Sequence, residues 1–231
     1  MKTIIISTIK EWNIENYFKL KELYKHKYNI YLITSKDELT FEYLKDLNPE
    51  YVFFPHWSWI IKEDIYSNFN CVVFHMTDLP YGRGGSPFQN LIMNKRYDTK
   101  ISALKVDNGV DTGDIYLKED FNISIGSAEE NFIKLSNIIF GKMIPNILEN
   151  ELIPRKQIGV VTEFKRRKPK DSNLLELDIK TLNKVYDFIR MLDAEGYPKA
   201  YIELDNIKMQ FSEIHLKNKK LSGRFEVIEN E

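Results

Sequence analysis

The stretch TIIISTIKEWNIENYFKLKELYKHKYNIYLITSKDELTFEYLKDLNPEYVFF, residues 3–54, decides the fold. Residues 3–8 are a β-branched run of the kind buried on both faces of a parallel sheet. A mixed stretch from about Asn13 to His26 reads as a helix, and Tyr28 to Thr34 as a second strand. Ser35 is placed to cap a helix reaching Leu47, with Asn48-Pro49 as its stop signal, and Tyr51 to Phe54 gives a third strand. Strands alternating with helices predict an α/β fold whose largely parallel sheet carries helices on both faces. The loop after the first strand contains no glycine, so it lacks the Gly-x-Gly-x-x-Gly turn that lets a pyrophosphate approach the backbone. A nicotinamide cofactor is therefore disfavoured.

Further along, Val72-Val73-Phe74 reads as a short buried strand that delivers His75 into a loop rich in Pro and Gly. Ligands of open parallel sheets bind just outside the carboxyl ends of strands, which puts His75 in reactive territory. A strand from Lys100 to Val106 empties into Asp107-Asn108-Gly109-Val110-Asp111-Thr112-Gly113-Asp114, an acidic turn expected beside His75. Ser86-Pro87 predicts a capped helix to about Lys95, and Tyr116 to Ile123 another strand. Ser127-Ala128-Glu129-Glu130 reads as a capping box opening a long helix to about Glu149, which Pro145 kinks or divides. The basic run Lys165 to Lys170 marks the expected boundary between a catalytic domain, residues 1–165, and a small lobe, residues 166–231. In that lobe residues 178–194 suit a helix with Leu182, Val185, Ile189 and Leu192 as its buried stripe. Strands follow at about 199–204, 207–215 and 223–228.

Composition narrows the function. Thirty-three basic against 34 acidic residues leave a formal net charge of −1, so no global field recruits nucleic acid. The single Cys71 lies in a predicted buried strand without a partner, which excludes an internal disulfide and a cysteine-based zinc cluster. His56, His75, Asp111 and Asp114 show no paired-histidine spacing, so no metal is expected. The opening apolar run Ile4-Ile5-Ile6 is shorter than a signal-peptide core, and no apolar stretch of about 18 residues occurs. The expectation is a cytoplasmic protein without membrane contact.

Taken singly, His75 after a strand is most simply structural, and Asp-Thr-Gly turns are common. Together, His75, Leu79-Pro80, Gly82-Arg83-Gly84-Gly85-Ser86-Pro87 and, 36 positions after His75, Asp111-Thr112-Gly113 resemble the formyltransferases that use N10-formyltetrahydrofolate. The resemblance covers roughly residues 50–200. Val73 stands where that family carries an Asn two residues before the His. Within the family, residues 75–87 are most like the branch that formylates an amino sugar nucleotide in pseudaminic acid biosynthesis.

The resemblance implies a Rossmann-like α/β fold with a small C-terminal α+β lobe, His75 and Asp111 as the catalytic pair, and N10-formyltetrahydrofolate as formyl donor without a metal. It places Trp57, Ser58, Trp59 and Ile60, with Asp107, Asn108, Gly109 and Val110, as contacts of the folate. The bland reading of the tryptophans is a plug at the sheet's end. Thr77, Tyr81, Gly82, Arg83, Gly84, Gln89 and Asn90 are the expected substrate contacts; either Thr77, Gln89, Asn90 or a backbone N–H replaces the missing Asn, or the reaction runs with fewer donors. The expected acceptor is a small-molecule nucleotide-linked amino sugar, with no nucleic-acid partner; a homodimer is compatible with this. A non-catalytic folate- or nucleotide-binding module is the alternative, as is a family member acting on tRNA, glycinamide ribonucleotide or water. An RNA-binding use of the Lys165–Lys170 run is a third reading, without any recognised nucleic-acid motif behind it.

Overall fold

Ile4, Ile5 and Ile6 are fully buried, and the strand that carries them, β1 (Lys2–Ser7), lies inside a six-stranded sheet. The structure is a computed structural model and describes residues 1–229. β1 pairs in parallel with β2 (Tyr28–Ile33) and with β3 (Tyr51–Phe54), and β3 pairs in parallel with β4 (Cys71–His75). β5 (Asp98–Lys105) runs antiparallel to β4, with His75 opposite Ser102, and β6 (Ile115–Asn122) completes the order β2-β1-β3-β4-β5-β6. This is the expected Rossmann-like, mostly parallel sheet, with one reversal of direction that matters for the site.

The chain forms two units. The first takes Met1–Arg83, Lys100–Phe121 and Ile133–Glu163; the second takes Gly84–Thr99, Asn122–Phe132 and the chain from Phe164 on. In the first, Ile5, Ile33, Val52, Phe54 and Cys71 from the strands meet Leu44 and Ile65 in one buried cluster. Each such side chain removed from water contributes on the order of 1.5–3 kcal/mol. Burial also pushes the Cys71 thiol up to about 12, so this cysteine behaves as a small hydrophobe. Helix α1 (Glu11–Tyr24) turns Trp12, Tyr17, Leu20 and Tyr24 inward, spaced as one helical face.

Helix α2 (Phe41–Leu47) starts five residues later than Ser35 suggests. Thr40 is its cap, accepting from the Tyr43 N–H at 3.2 Å, while Ser35 Oγ closes a separate turn through Asp37 N. Helix α3 (Pro87–Met93) does begin with proline, yet Ser86 sits in the left-handed region and does not cap it. Its hydroxyl instead accepts from the Arg167 N–H at 3.0 Å. The capping box forms as the pattern predicts: Ser127 N–H donates to Glu130 and Glu130 N–H to Ser127 Oγ. The helix it opens, α4 (Ala128–Ile138), ends in a π-helical turn, Ile139–Met143, before α5 (Ile144–Asn150). Pro145 has no N–H to donate back along the helix, and the wider turn falls just before it.

In the second unit β7 (Ala200–Leu204), β8 (Ile207–Lys217) and β9 (Lys220–Glu229) form an antiparallel sheet in the order β9-β8-β7, with helix α6 (Leu182–Arg190) packed on β8. Ile189 and Leu192 are buried as expected, but Leu182, at the first turn of α6, is 42% exposed. Arg190 is the largest buried side chain of this unit. Its Nε donates to Asp187 at 2.7 Å and its Nη1 to the carbonyls of Ile123 and Gly126, both at 2.9 Å. A buried guanidinium is tolerated only with such partners. No helix among the described residues is long and apolar enough to cross a membrane.

Candidate active site

The site begins with the reversal between β4 and β5. Because β5 pairs antiparallel, it ends near Cys71, at the amino end of β4, where Val106 N–H donates to the Cys71 carbonyl at 2.9 Å. The acidic turn therefore leaves the sheet some four residues, on the order of 13 Å, from His75 along the strand. It folds back, and Asp111 Oδ2 lies 3.4 Å from His75 Nδ1, with both side chains largely buried.

The other ring nitrogen is also committed. His75 Nε2 lies 2.8 Å from the carbonyl oxygen of Gly82, which can only accept, so Nε2 carries a proton. With the ring neutral, Nδ1 then presents a lone pair to Asp111. The contact with Asp111 becomes a charge-assisted hydrogen bond whenever Nδ1 also carries a proton. Thr77 Oγ1 donates to the same Gly82 oxygen at 3.3 Å.

The loop that supplies this oxygen is fastened on several sides. Ser102 Oγ donates to the Thr77 carbonyl at 2.8 Å, both residues being fully buried. Lys118 Nζ reaches Asp78 Oδ1 at 2.5 Å and also bonds the Leu79 carbonyl. The Leu79–Pro80 peptide is cis. Gly82 has φ +73°, a backbone that a side chain would strain, and its N–H donates to Thr162 Oγ1 at 2.7 Å.

The acidic turn is just as constrained. Asp107 Oδ1 accepts from Gly109 N–H at 3.1 Å and from the Thr112 hydroxyl, so one oxygen of its carboxylate is held inside the turn. A Cβ on Gly113 would meet the Lys105 carbonyl oxygen at 1.7 Å, which leaves glycine as the only residue that fits there. Asp111 itself has φ +55°. Beneath it lies Gln157, whose amide donates to the carbonyls of Asp111 (2.8 Å) and Gly113 (2.9 Å) and accepts from Arg83 Nε (3.1 Å) and Nη2 (2.8 Å). No local pattern marks Gln157 in the sequence; it is a half-buried residue in an irregular, otherwise exposed segment.

Trp57 packs against the first unit's core cluster and meets Trp59 edge-on with centroids 4.9 Å apart. Trp57 Nε1 is buried without a hydrogen-bond partner among the described residues. Ile60 is 93% and Val110 70% exposed, uncommon for such residues; Ser58, Asn108 and Gly109 are exposed as well. Of the expected substrate contacts, Tyr81 is half-buried beside Gly82 and Arg83. Gly84, Gln89 and Asn90 belong to the second unit. There Gln89 donates to the Met191 carbonyl at 3.0 Å, and Asn90 to the carbonyls of Gly85, Ser86 and Lys165. Thr77, Gln89 and Asn90, the side chains named as substitutes for an Asn at position 73, thus all donate to backbone carbonyls of the protein.

Comparison with known proteins adds to this geometry. The family model described as methionyl-tRNA formyltransferase, C-terminal domain, matches residues 169–228. A solved structure of methionyl-tRNA formyltransferase from Clostridium thermocellum is 53% identical, covers 100% of both chains and superposes with a TM-score of 0.96. A curated methionyl-tRNA formyltransferase from Clostridium beijerinckii is 26% identical over 205 residues, 85% of this chain and 65% of that protein. The structure of HypX from Aquifex aeolicus in complex with tetrahydrofolic acid, at 13% identity and a TM-score of 0.70 over 94% of this chain and 39% of that one, shares the fold. The chain spans about half to two thirds of the length of the curated relatives it matches, 47% and 65% in the first two.

These likenesses overturn two expectations, an amino sugar nucleotide as acceptor and the exclusion of nucleic acid as partner. The reason is physical: residues 75–114, which carry the resemblance to the family, say little about what brings the amine. A net charge near zero likewise describes the sum over the chain and not the charge of one face. Full-length identity of 53% with the Clostridium thermocellum protein and the shared fold make this chain a member of the formyltransferase family.

Proposed function

We propose that this protein transfers a formyl group from N10-formyltetrahydrofolate to the amine of methionyl-tRNA. The observation that carries the reading is the end-to-end, 53% identical likeness to a chain described as methionyl-tRNA formyltransferase. The His75–Asp111 contact supports it chemically.

In this reaction the acceptor nitrogen bonds to the formyl carbon, the bond from that carbon to N10 breaks, and one net proton passes from the amine to the leaving nitrogen. A negative oxygen develops on the way. His75 Nε2–H, which donates to the Gly82 carbonyl in the free protein, exchanges that acceptor for the developing oxygen and is its donor. Asp111 keeps the second ring nitrogen oriented and balances the imidazolium charge, and it takes part in removing the amine's proton, directly or through water. The tightly fastened loop of Thr77, Gly82 and Ser102 fixes the ring before substrate arrives, which is where preorganised electrostatics gains its effect.

The folate is a substrate here, and the residues fit a flat heteroaromatic one. Trp57 and Trp59 supply ring faces, exposed Ile60 and Val110 supply apolar wall, and the unpartnered Trp57 N–H supplies a donor that a ring nitrogen or carbonyl satisfies. Asp107, Asn108 and Gly109 offer backbone groups of a rigid turn.

The test is incubation of the purified chain with N10-formyltetrahydrofolate and methionyl-tRNA, followed by mass spectrometry of the released amino acid. Formylmethionine is the expected product. Background levels of formylmethionine and of tetrahydrofolate release would sink the reading.

A further inference from the structure

We propose that Gln157 is a positioning residue for Asp111, oriented in turn by Arg83, so that the carboxylate facing His75 is set by a side chain 46 residues away. The proposal rests on the formyl-transfer reading for its kinetic consequences but not for its structural ones.

The Gln157 amide is saturated. Both of its N–H bonds go to carbonyls of the acidic turn, Asp111 at 2.8 Å and Gly113 at 2.9 Å, and its oxygen takes two N–H bonds of the Arg83 guanidinium. This fixes the amide's orientation without ambiguity. Turned over, it would set NH2 against the guanidinium and oxygen against two carbonyls. Arg83 therefore does more than supply charge: it forces the donors of Gln157 toward the turn.

The turn requires such a brace. Asp111 adopts φ +55°, a left-handed conformation that is unfavourable for a non-glycine residue. The segment that carries Gln157 is itself stitched to the residues after the turn, since Ile115 and Arg155 exchange both backbone hydrogen bonds, at 2.8 and 2.9 Å. On the other side Gly113 is pressed against the Lys105 carbonyl, and Lys105 N–H donates to the Asp114 carbonyl at 2.8 Å. The backbone of Asp111 is thus gripped from both directions, and its side chain leaves the grip aimed at His75 Nδ1. Arg83, expected from sequence as a substrate contact, spends two of its donors on this brace.

Gln157→Glu isolates the role. The carboxylate keeps an acceptor for Arg83 but loses both donors and sets oxygen against the Asp111 and Gly113 carbonyls. With the full-length protein, kcat should fall about 10- to 100-fold, the scale expected for an ångström-level misplacement, while KM for the folate changes less than about threefold. In an Asp111→Asn background the same substitution should cost less than about twofold, because the group it positions is already gone. The His75 imidazole, followed by NMR at fixed pH, should show a changed ring 15N chemical shift at Nδ1 in Gln157→Glu as the Asp111 carboxylate moves out of contact. That readout holds even where no acceptor is turned over, so it separates failure of this proposal from failure of the formyl-transfer reading. An unchanged His75 ring 15N signal, or equal losses in the wild-type and Asp111→Asn backgrounds, would overturn the proposal. Arg83→Met, which leaves Gln157 unoriented, should reproduce the NMR shift in weaker form, and no shift would count against Arg83's part in it.

Discussion

Asp111 Oδ2 stands 3.4 Å from His75 Nδ1 while the opposite ring nitrogen is already bonded to the Gly82 carbonyl. The ring therefore has one position and one orientation. Replacing His75 with Ala should lower kcat/KM for formyl transfer by about two to three orders of magnitude, the loss typical of an oxyanion donor. Folate affinity should stay within a few-fold, since the contacts assigned to the folate lie on Trp57 to Ile60 and on the acidic turn. Steady-state kinetics beside fluorescence titration of the tryptophans check this. A His75→Ala enzyme within about threefold of wild type would remove the imidazole from the mechanism.

Ser102 supports the loop from below. It is fully buried and donates to the Thr77 carbonyl at 2.8 Å, two residues from His75. Ser102→Ala leaves that carbonyl without this donor and should destabilise the protein by about 1–2 kcal/mol in urea unfolding, with kcat reduced and KM little changed. A variant as stable as wild type would mean that the Thr77 carbonyl finds another donor at no cost.

Much of this is legible in the sequence, for identifiable reasons. The βαβ rhythm of residues 3–54 and the Ser127/Glu130 capping box are local patterns, and local patterns survive folding. Ser35 misleads because a serine can cap a turn as readily as a helix, and here Asp37 N–H captures its hydroxyl first. The spacing of motifs puts Asp111 near His75, but it does not show the antiparallel run of β5, which makes the acidic turn fold back to reach the imidazole. Strand direction is a property of the sheet and leaves no mark on the strand itself. Gln157 is invisible for a similar reason: its partners lie 44 to 74 residues away. The acceptor is misread because residues 75–87 carry the likeness to the family as a whole and no mark of the acceptor's body.

His56 ties stability to pH. Burial, with help from the Lys10 charge, pushes its imidazolium down to about 4 from an ordinary 6.5. The unfolded chain binds this proton below about pH 6.5 and the folded chain only below about pH 4, so the group favours the folded state at neutral pH. That contribution is complete above pH 6.5 and fades as pH falls toward 4, by at most about 3 kcal/mol. Urea unfolding at pH 7 and pH 4.5 should show the fall, and His56→Phe, which keeps a ring opposite Trp12, should flatten it. An unaltered pH dependence in His56→Phe would assign the effect to other groups.

The basic run of residues 165–170 separates into two kinds of cation. Lys165, Arg166, Lys168 and Lys170 are exposed. Arg167 turns inward, donating from Nη2 to the Asp171 carbonyl and lying with its guanidinium 5.6 Å from the Phe188 ring centre; burial pushes its ionisation down. If tRNA carries the acceptor amine, the exposed cations are the ones placed to displace counterions from its phosphates. Neutralising Lys165, Lys168 and Lys170 together should weaken methionyl-tRNA binding and lower the slope of log affinity against log salt by about one for each phosphate left unneutralised. Arg167→Gln should act on stability instead, lowering the unfolding midpoint while leaving the salt slope near its wild-type value. Filter binding from about 50 to 200 mM salt, beside thermal unfolding of each variant, distinguishes the two. A salt slope untouched by the triple substitution would place tRNA on another surface of the protein.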